Sequence, residues 1–492
     1  MADLTIRNVT VTPLELKLIE RFEGHPTHGG HKKVGTIKKF TGFYKASSPE
    51  VSQHVQSQGE PTDHGDIALL VRPFETHVTN VRAPDPSREV IRLTFESGGH
   101  RYQTDVPSAS RRSSVMTKLD EGPNDYTAIY VQAGSCLTIF SSTHLPSWMG
   151  DLKDEYPLSA LSLPGTHNSP TYRVALPSVR CQAVRIREQL DNGVRFFDVR
   201  VSVSSSSHHL PLVHAAFPVA LTGTKYFADM LQEMYAFLDA HPSEAVILSV
   251  KREGIGKGTD QRLSRVLKEH YYGDGARWYT EPRIPRLGEV RGKIVLLRRH
   301  VNDESLDGEW GGRGWGLDGS VWPDNCEDGH AGSGIARIQD FYEVDQSTNI
   351  QKKIELARKH LERASEPTFS LAATTETETK TKTTTQDDEG AEARLPHSPP
   401  LPPPPPFFIN FLTASNFFRA NCWPERIAAK ANPAIIEYLC MRHGEKGKGP
   451  AGLPVGDAST GIVVTDWVGG DGDWDLIRCV VGWNAKLQLK QD

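Results

Sequence analysis

Long apolar runs are missing from this 492-residue chain, and with them any segment able to span a bilayer. The opening stretch MADLTIRNVTVTPLELKLIERFEG has neither a basic n-region nor an apolar core with a small-residue cleavage site, so no secretory leader is read from it. Both absences point to a cytoplasmic or peripheral-membrane protein. Cysteine is scarce. Cys136, Cys181, Cys326, Cys422, Cys440 and Cys479 form no CxxC pair and no clustered spacing, which argues against a zinc or disulfide framework and for reduced, mostly buried thiols. An excess of positive charge is missing too. With 56 Lys+Arg against 61 Asp+Glu the net charge is -5, which argues against nucleic acid as a partner. The histidines of GHPTHGGHKK follow no ligand spacing, and a solvated loop is expected there.

A chain of this length exceeds one ordinary core, so two domains are expected. Residues 1–150 hold strand-like runs such as LTIRNVTVTPLEL, EVIRLTFES and YTAIYVQAGSCLTIF, divided by Gly, Pro, Ser and Asp clusters. This is the pattern of a mostly-β, sandwich-like accessory domain. From 151 to 492 short apolar strands alternate with helical spacing. The first expected strand is Leu158–Leu163, ended by a turn at Pro164-Gly165. VRFFDVRVSV, AVILSVKRE, KIVLLRRH, GIARIQDFYEV, FFINFLTA and GIVVTDWV follow. Strand–helix alternation gives an α/β class with a parallel sheet. Seven strands favour a distorted TIM barrel, closed or nearly closed, with its chemistry at the C-terminal strand ends. A Thr/Pro-rich segment at about 365–406 is expected to be a disordered insertion. Its polyproline end, 401–406, offers a proline-motif-binding partner a site, although a tolerated surface insertion is the simpler reading.

The strand ends collect reactive side chains: His167 and Asn168, Asp198 and Arg200, Lys251, Arg298 and Arg299, Asp340 and Tyr342, and Asp466, with His214 after a serine-rich loop. Two histidines, several carboxylates and several cations facing one mouth suit an anionic substrate and proton transfer at both ends of a reacting group. Two imidazoles can cleave a phosphodiester without a metal, one taking a proton from the attacking hydroxyl and the other giving one to the leaving oxygen. A buried carboxylate fixes the tautomer of the base, and a guanidinium holds the phosphate oxygens. His208 and His209 are expected to be solvated, and Arg298 to point away from the site.

In order along the chain, SLPGTHNS, GVRFFDVR, LPLVH, HPSEAVILSVKRE, RGKIVLLRR, WPDN, IQDFYEV, FFINFLTAS and GIVVTDWV resemble the bacterial-type phosphatidylinositol-specific phospholipases C, from about Leu158 to the C-terminus. The resemblance implies a distorted TIM barrel that cleaves phosphatidylinositol, or a glycosylphosphatidylinositol lipid, to diacylglycerol and inositol 1,2-cyclic phosphate at a membrane surface bound transiently. Carried over by motif, His167 is the general base, Asp466 its orienting carboxylate, His214 the general acid and Arg200 the phosphate clamp, with Asp198 supporting them. Asn168, Lys251, Arg299, Asp340 and Tyr342 fall at substrate-binding positions, with Trp322 nearby. Calcium-dependent relatives place acidic ligands where Arg200 and Lys251 stand here, so no metal and no cofactor is expected.

Two departures from the bacterial pattern bear on activity. Asn168 replaces an Asp that assists the acid histidine, and an amide cannot raise an imidazole pKa by charge. The segment YRVALPSVRCQAVRIREQL lacks the interfacial tryptophan, leaving Val174, Ala175 and Leu176, so membrane attachment is expected to involve the N-terminal domain. The alternatives are a catalytically weak or inactive lipid-binding barrel and another barrel phosphodiesterase. The latter normally needs an acidic metal cluster and an early His-Arg-Gly signature that this chain lacks.

Overall fold

The computed structural model describes residues 2–26, 54–110, 112–141, 144–344, 347–371 and 403–491. Most of GHPTHGGHKK and of the Thr/Pro-rich segment lies outside the described residues.

The N-terminal part is a two-sheet sandwich. One sheet orders Thr76–Arg82, Asp3–Val9, Cys136–Ser141 and Tyr126–Val131. The other orders Val55–Val71, Leu14–Pro26, Glu89–Ser97, His100–Val106 and Thr117–Lys118. Alternation along the first sheet serves two cores. Ile6, Leu137 and Ile139 meet Leu16, Leu93 and Phe95 of the second sheet, whereas Val9, Ile129 and Phe140 face the other way. That outer face packs on Ile436, Leu439 and Val480, from the helices Pro424–Met441 and Asp475–Gly482, and on Trp483 just after the second of them. Arg7 seals the contact by donating to the carbonyls of Cys440 (2.9 Å) and His443 (2.7 Å), groups that a helix end leaves without intrahelical partners.

The C-terminal part is built on seven parallel strands: β1 Leu163–Thr166, β2 Phe196–Val201, β3 Val246–Arg252, β4 Ile294–Arg299, β5 Ala336–Gln339, β6 Phe407–Phe411 and β7 Ile462–Thr465. Their order across the sheet is β4-β3-β2-β1-β7-β6-β5. Buried residues such as Phe197, Leu248, Val295 and Ile409 make the strands apolar on both faces, as helix-covered parallel strands must be. The backbone ladder does not join β4 to β5. Trp278–Tyr279 and Leu317–Asp318 pair with the free edge of β4, and Gly329–His330 pairs antiparallel with β5. Side chains bridge this seam instead. The Arg299 guanidinium of β4 lies 3.9 Å from the centre of the Trp322 ring, whose Nε1 donates to Asp340, just beyond β5, at 3.1 Å.

Four expectations need correction. Leu158–Ala160 is a single 3-10 turn, and the first strand is Leu163–Thr166, so Pro164 and Gly165 lie inside it. The proline carbonyl still accepts from Arg195 N at 2.9 Å, and glycine suits the next position because a Cβ there would press on the Phe196 ring at 3.0 Å. The barrel is open at the β4/β5 seam. The start of the expected insertion is structured: Ser365 closes the helix Ser347–Ser365, and Phe369 is buried in the barrel core, its N–H bonded to Asp457. Leu145, Trp148 and Met149, ahead of residue 151, also pack into that core.

Candidate active site

The strand register sets the layout of the mouth. Arg200 of β2 pairs with Lys251 of β3, which pairs with Arg299 of β4, so three cations stand in one row on one face of neighbouring strands. Such a row is tenable only with anions interleaved, and three carboxylates supply them. Asp198, fully buried, accepts from Arg200 Nε (3.3 Å) and Nη2 (3.2 Å) and from the backbone N of Asn168 (3.0 Å), with Arg299 Nη1 3.6 Å away. Glu253 accepts from Arg200 Nη1 (2.9 Å) and Lys251 Nζ (3.1 Å). Asp340 is fixed through Trp322.

The charges follow. Burial alone would raise Asp198, but Arg200, His167 and Arg299 together hold it well below the usual carboxylate range. Burial likewise opposes ionisation of Glu253, yet Arg200 and Lys251 bring it down to about 2. Burial acts against the Arg200 cation, and Asp198, Glu253 and Asp340 outweigh it, so Arg200 stays charged. Burial pulls Arg299 down, with Asp198 and Asp340 opposing.

His167 follows β1 directly, its N–H bonded to Thr465 of β7 at 3.0 Å and its carbonyl held by Gln182 Nε2 at 2.8 Å. Asn168 then takes a left-handed φ of 42°, which asparagine tolerates better than most residues. The ring of His167 donates from Nδ1 to Asp466 Oδ1 at 3.0 Å, so the lone pair of Nε2 is left free, 3.9 Å from Asp198. Burial pushes the Asp466 carboxyl up, with His167 pulling against it. His214 sits in a tight hairpin opposite Phe217, and its ring is perpendicular to that of His167 with centres 5.7 Å apart. Its Nδ1 donates to the Val179 carbonyl at 2.8 Å, and no carboxylate is bonded to it among the described residues. Burial first, then the charges of Arg200 and His167, bring His214 down to about 4.

Several buried polar atoms here have no hydrogen-bond partner: Asn168 Nδ2 and Oδ1, Asp198 Oδ1, Asp466 Oδ2, Ser249 Oγ, and Arg299 Nε and Nη1. Buried polar atoms are normally paired, so this cluster has donors and acceptors free to meet a polar group. The structure thus brings together His167, His214, Asp198, Arg200, Lys251, Arg299 and Asp466. Tyr342 stands further out, its hydroxyl bonded to Asp324 at 2.8 Å. Arg298 points to the seam and Asp318 (2.9 Å), and His208 stacks on His270 away from the mouth.

Sequence reasoning missed three things. Glu253 organises two of the three cations, and its signal was period-2 spacing from Lys251. Cys181 lies with its Sγ 3.6 Å from His214 Nδ1. Beside His214, Phe217 stacks on Phe417 with ring centres 5.3 Å apart, Phe417 meets Phe418 edge-on at 5.4 Å, and Phe418 is 91% exposed. Exposed Val174 and Leu221 are joined by a backbone hydrogen bond of 2.9 Å in the segments before and after it. This apolar rim is carried by the barrel itself.

Residues 155–300 match the family described as phosphatidylinositol-specific phospholipase C, X domain. The chain is similar to that X domain over this span. The matched span of the X domain holds His167, Asp198, Arg200, His214, Lys251, Glu253 and Arg299, while Asp340, Tyr342 and Asp466 lie beyond it. The chain is similar to a 1-phosphatidylinositol phosphodiesterase of Listeria monocytogenes, 31% identical over 34% of this chain and 53% of the relative. Similarity to the enzyme of the same name from Staphylococcus aureus is 28% over 44% of this chain and 70% of the relative. The human PI-PLC X domain-containing protein 1 is 30% identical over 30% of this chain and 55% of its own length. The match therefore spans about half the length of the Listeria and human relatives. Among solved structures, a variant of the Staphylococcus aureus phosphatidylinositol-specific phospholipase C covers 70% of this chain and 98% of its own, at 21% identity and a TM-score of 0.49.

Proposed function

We propose that this chain is a metal-independent phosphatidylinositol-specific phospholipase C. The observation that carries the reading is the perpendicular pair His167/His214, 5.7 Å apart, sharing one mouth with the paired guanidinium of Arg200. In the proposed reaction His167 Nε2 takes the proton of the inositol 2-hydroxyl as that oxygen attacks phosphorus. The bond from phosphorus to the diacylglycerol oxygen breaks, and His214 Nε2 gives that oxygen its proton. Diacylglycerol and inositol 1,2-cyclic phosphate leave, and the two imidazoles have exchanged protonation states. Asp466 supports the imidazolium that forms on His167, and Arg200 stabilises charge on the non-bridging oxygens. Asp198 and Glu253 orient Arg200. Lys251, Arg299 and Asp340 have the donors and acceptors for ring hydroxyls, in keeping with the unpartnered atoms on Arg299 and Asp198.

The positions that would have to bind a hard cation carry Arg200 and Lys251, whose charges repel one. No described helix is long and apolar enough to cross a membrane. Reversible attachment would come from the rim of Phe217, Phe417, Phe418, Val174 and Leu221, bringing the mouth against the lipid surface.

A lipid-binding barrel with weak turnover is the second reading, favoured by one observation: His214 lacks an acidic partner, and Asn168 stands where one would be. The assay is conversion of phosphatidylinositol vesicles by the full chain with excess chelator. Diacylglycerol and cyclic inositol phosphate are expected, and His167→Ala or His214→Ala should abolish both. Vesicle binding without product would establish the second reading, and product only with calcium would overturn metal independence.

A further inference from the structure

Cys181 has no part in the reaction above, yet it lies against both catalytic rings. Ligand atoms of His167, Cys181 and His214 all fall within 4.8 Å of one another, and among the described residues no other group of three such side chains does so. We propose that the catalytic centre is also a binding site for a borderline-soft divalent ion of the zinc class, held by Cys181, His214 and His167, and that this ion switches the lipid chemistry off. The site itself is independent of the proposed function, and only its effect on turnover rests on that reading.

The geometry supports an ion of this class. A tetrahedral zinc sits about 2.3 Å from sulfur and about 2.0 Å from nitrogen, so an S and an N ligand lie roughly 3.5 Å apart. Cys181 Sγ and His214 Nδ1 are 3.6 Å apart. A ring nitrogen of His167 lies within 4.8 Å of both. With Nδ1 held by Asp466, the ligand is Nε2, in the carboxylate–histidine–metal arrangement that orients imidazole ligands. The Val179 carbonyl oxygen, 2.8 Å from His214 Nδ1 and 3.5 Å from Cys181 Sγ, lies where an ion would take it as a further ligand once the Nδ1 proton has moved.

The segment that carries the thiol is held at both ends. Cys181 N donates to Thr171 Oγ1 at 3.1 Å, and its carbonyl accepts from Trp467 N at 2.8 Å. Calcium and magnesium want several oxygen ligands and find two nitrogens and a sulfur here. Binding releases the Cys181 thiol proton to solvent and moves the His214 proton from Nδ1 to Nε2. The nearby Arg200 cation repels the ion, while the carboxylates of Asp198 and Asp466 beside His167 attract it. The bound ion takes the lone pair of His167 Nε2, and without it no proton can be drawn from the attacking hydroxyl.

The test uses the chelator-stripped full-length protein titrated with Co2+. One equivalent should give a thiolate-to-cobalt charge-transfer band in the near ultraviolet, displaced by Zn2+. Cys181→Ser should abolish the band and weaken Zn2+ binding at least tenfold, and His214→Asn should weaken it as well. Melting curves of Cys181→Ser and Cys181→Ala check that loss of the band does not reflect loss of the fold, and if one variant unfolds, the other decides. A band that survives in a folded Cys181 variant, or no band at all in the wild-type protein, overturns the proposal. In the turnover assay micromolar Zn2+ should inhibit and chelator should restore activity, with Ca2+ and Mg2+ inert. A protein that binds Co2+ through Cys181 but never turns over lipid would keep the ion site and remove the proposed function.

Discussion

Asp466→Asn separates catalysis from stability more sharply than any other single change. The carboxylate stands 3.0 Å from His167 Nδ1, both side chains are almost wholly buried, and the imidazolium exists only once the inositol hydroxyl has given up its proton. At an effective dielectric of about 20, unit charges at this separation attract by roughly 5 kcal/mol. A hydrogen bond to a charged group is worth about 1.5–3 kcal/mol. The loss therefore falls at about 2–5 kcal/mol, or roughly 30- to 5,000-fold in kcat. Stability should move the other way or not at all. Burial raises the Asp466 carboxyl above its unfolded value, so the folded protein holds the proton more tightly than the unfolded chain does. The ionised form thus opposes folding at neutral pH, and a neutral amide removes that opposition. The assays are initial rates on phosphatidylinositol vesicles and a thermal melt of the same preparation. A kcat within fivefold of wild type, or a fall in Tm that parallels the fall in rate, would refute the assignment of Asp466 as the orienting group.

The remaining predictions concern pH and the membrane. His214 at about 4 is neutral in the free protein at pH 7, so kcat/KM should fall as pH rises from about 4, while the limb in kcat lies higher because bound phosphate offsets Arg200; coincident limbs above pH 7 would contradict this. Asn168→Asp should move the kcat/KM limb up by about 1–3 pH units, read from the same profiles, if a carboxylate there reaches His214. Phe418→Ser should weaken partition onto phosphatidylinositol vesicles about 10- to 150-fold, as expected from about 1.5–3 kcal/mol for burying a phenyl side chain, and leave turnover of a short-chain soluble substrate unchanged. His300, His360 and His443 are buried and held by desolvation at about 4, 3 and 3, so the unfolded chain takes up protons that the fold refuses. Stability should therefore fall as pH drops from about 6.5 towards 4, by about 1.4 kcal/mol per pH unit for each histidine, measured as a lower denaturation midpoint at pH 5 than at pH 7.

What the sequence made legible was whatever depends on short-range pattern. Near-continuous apolar runs ending in polar residues gave six of the seven strands. The first strand was displaced because Pro164-Gly165 reads as a turn by itself, whereas the tight approach of Phe196 makes that glycine part of the sheet. The open seam was not legible, because it depends on Trp322 bridging Arg299 and Asp340 across strands far apart in the chain. Cys181 was hidden for the same reason: its neighbours His167 and His214 come from two other segments. The rim of Phe417 and Phe418 went unread because FFRA after a strand does not say which loop it will stack against.

The cation row explains a feature that neither histidine explains alone. Arg200 cannot be withdrawn from the mouth, because Asp198 and Glu253 grip it from opposite sides, and its charge is one of the causes that keep His214 unprotonated. On the proposed mechanism, the group that receives the phosphate is therefore also the group that disarms the acid while the site is free of substrate. A phosphodiester seated on Arg200 brings a negative charge beside His214 and offsets that cation, which favours protonation of the acid as the leaving oxygen arrives. A carboxylate at position 168 would hold His214 armed throughout. Asn168 leaves that task to the substrate, which makes turnover depend on phosphate occupancy of Arg200 more steeply than in a site with its own acid partner. The sign of that dependence is fixed by the row of Arg200, Lys251 and Arg299, whose register the sheet sets.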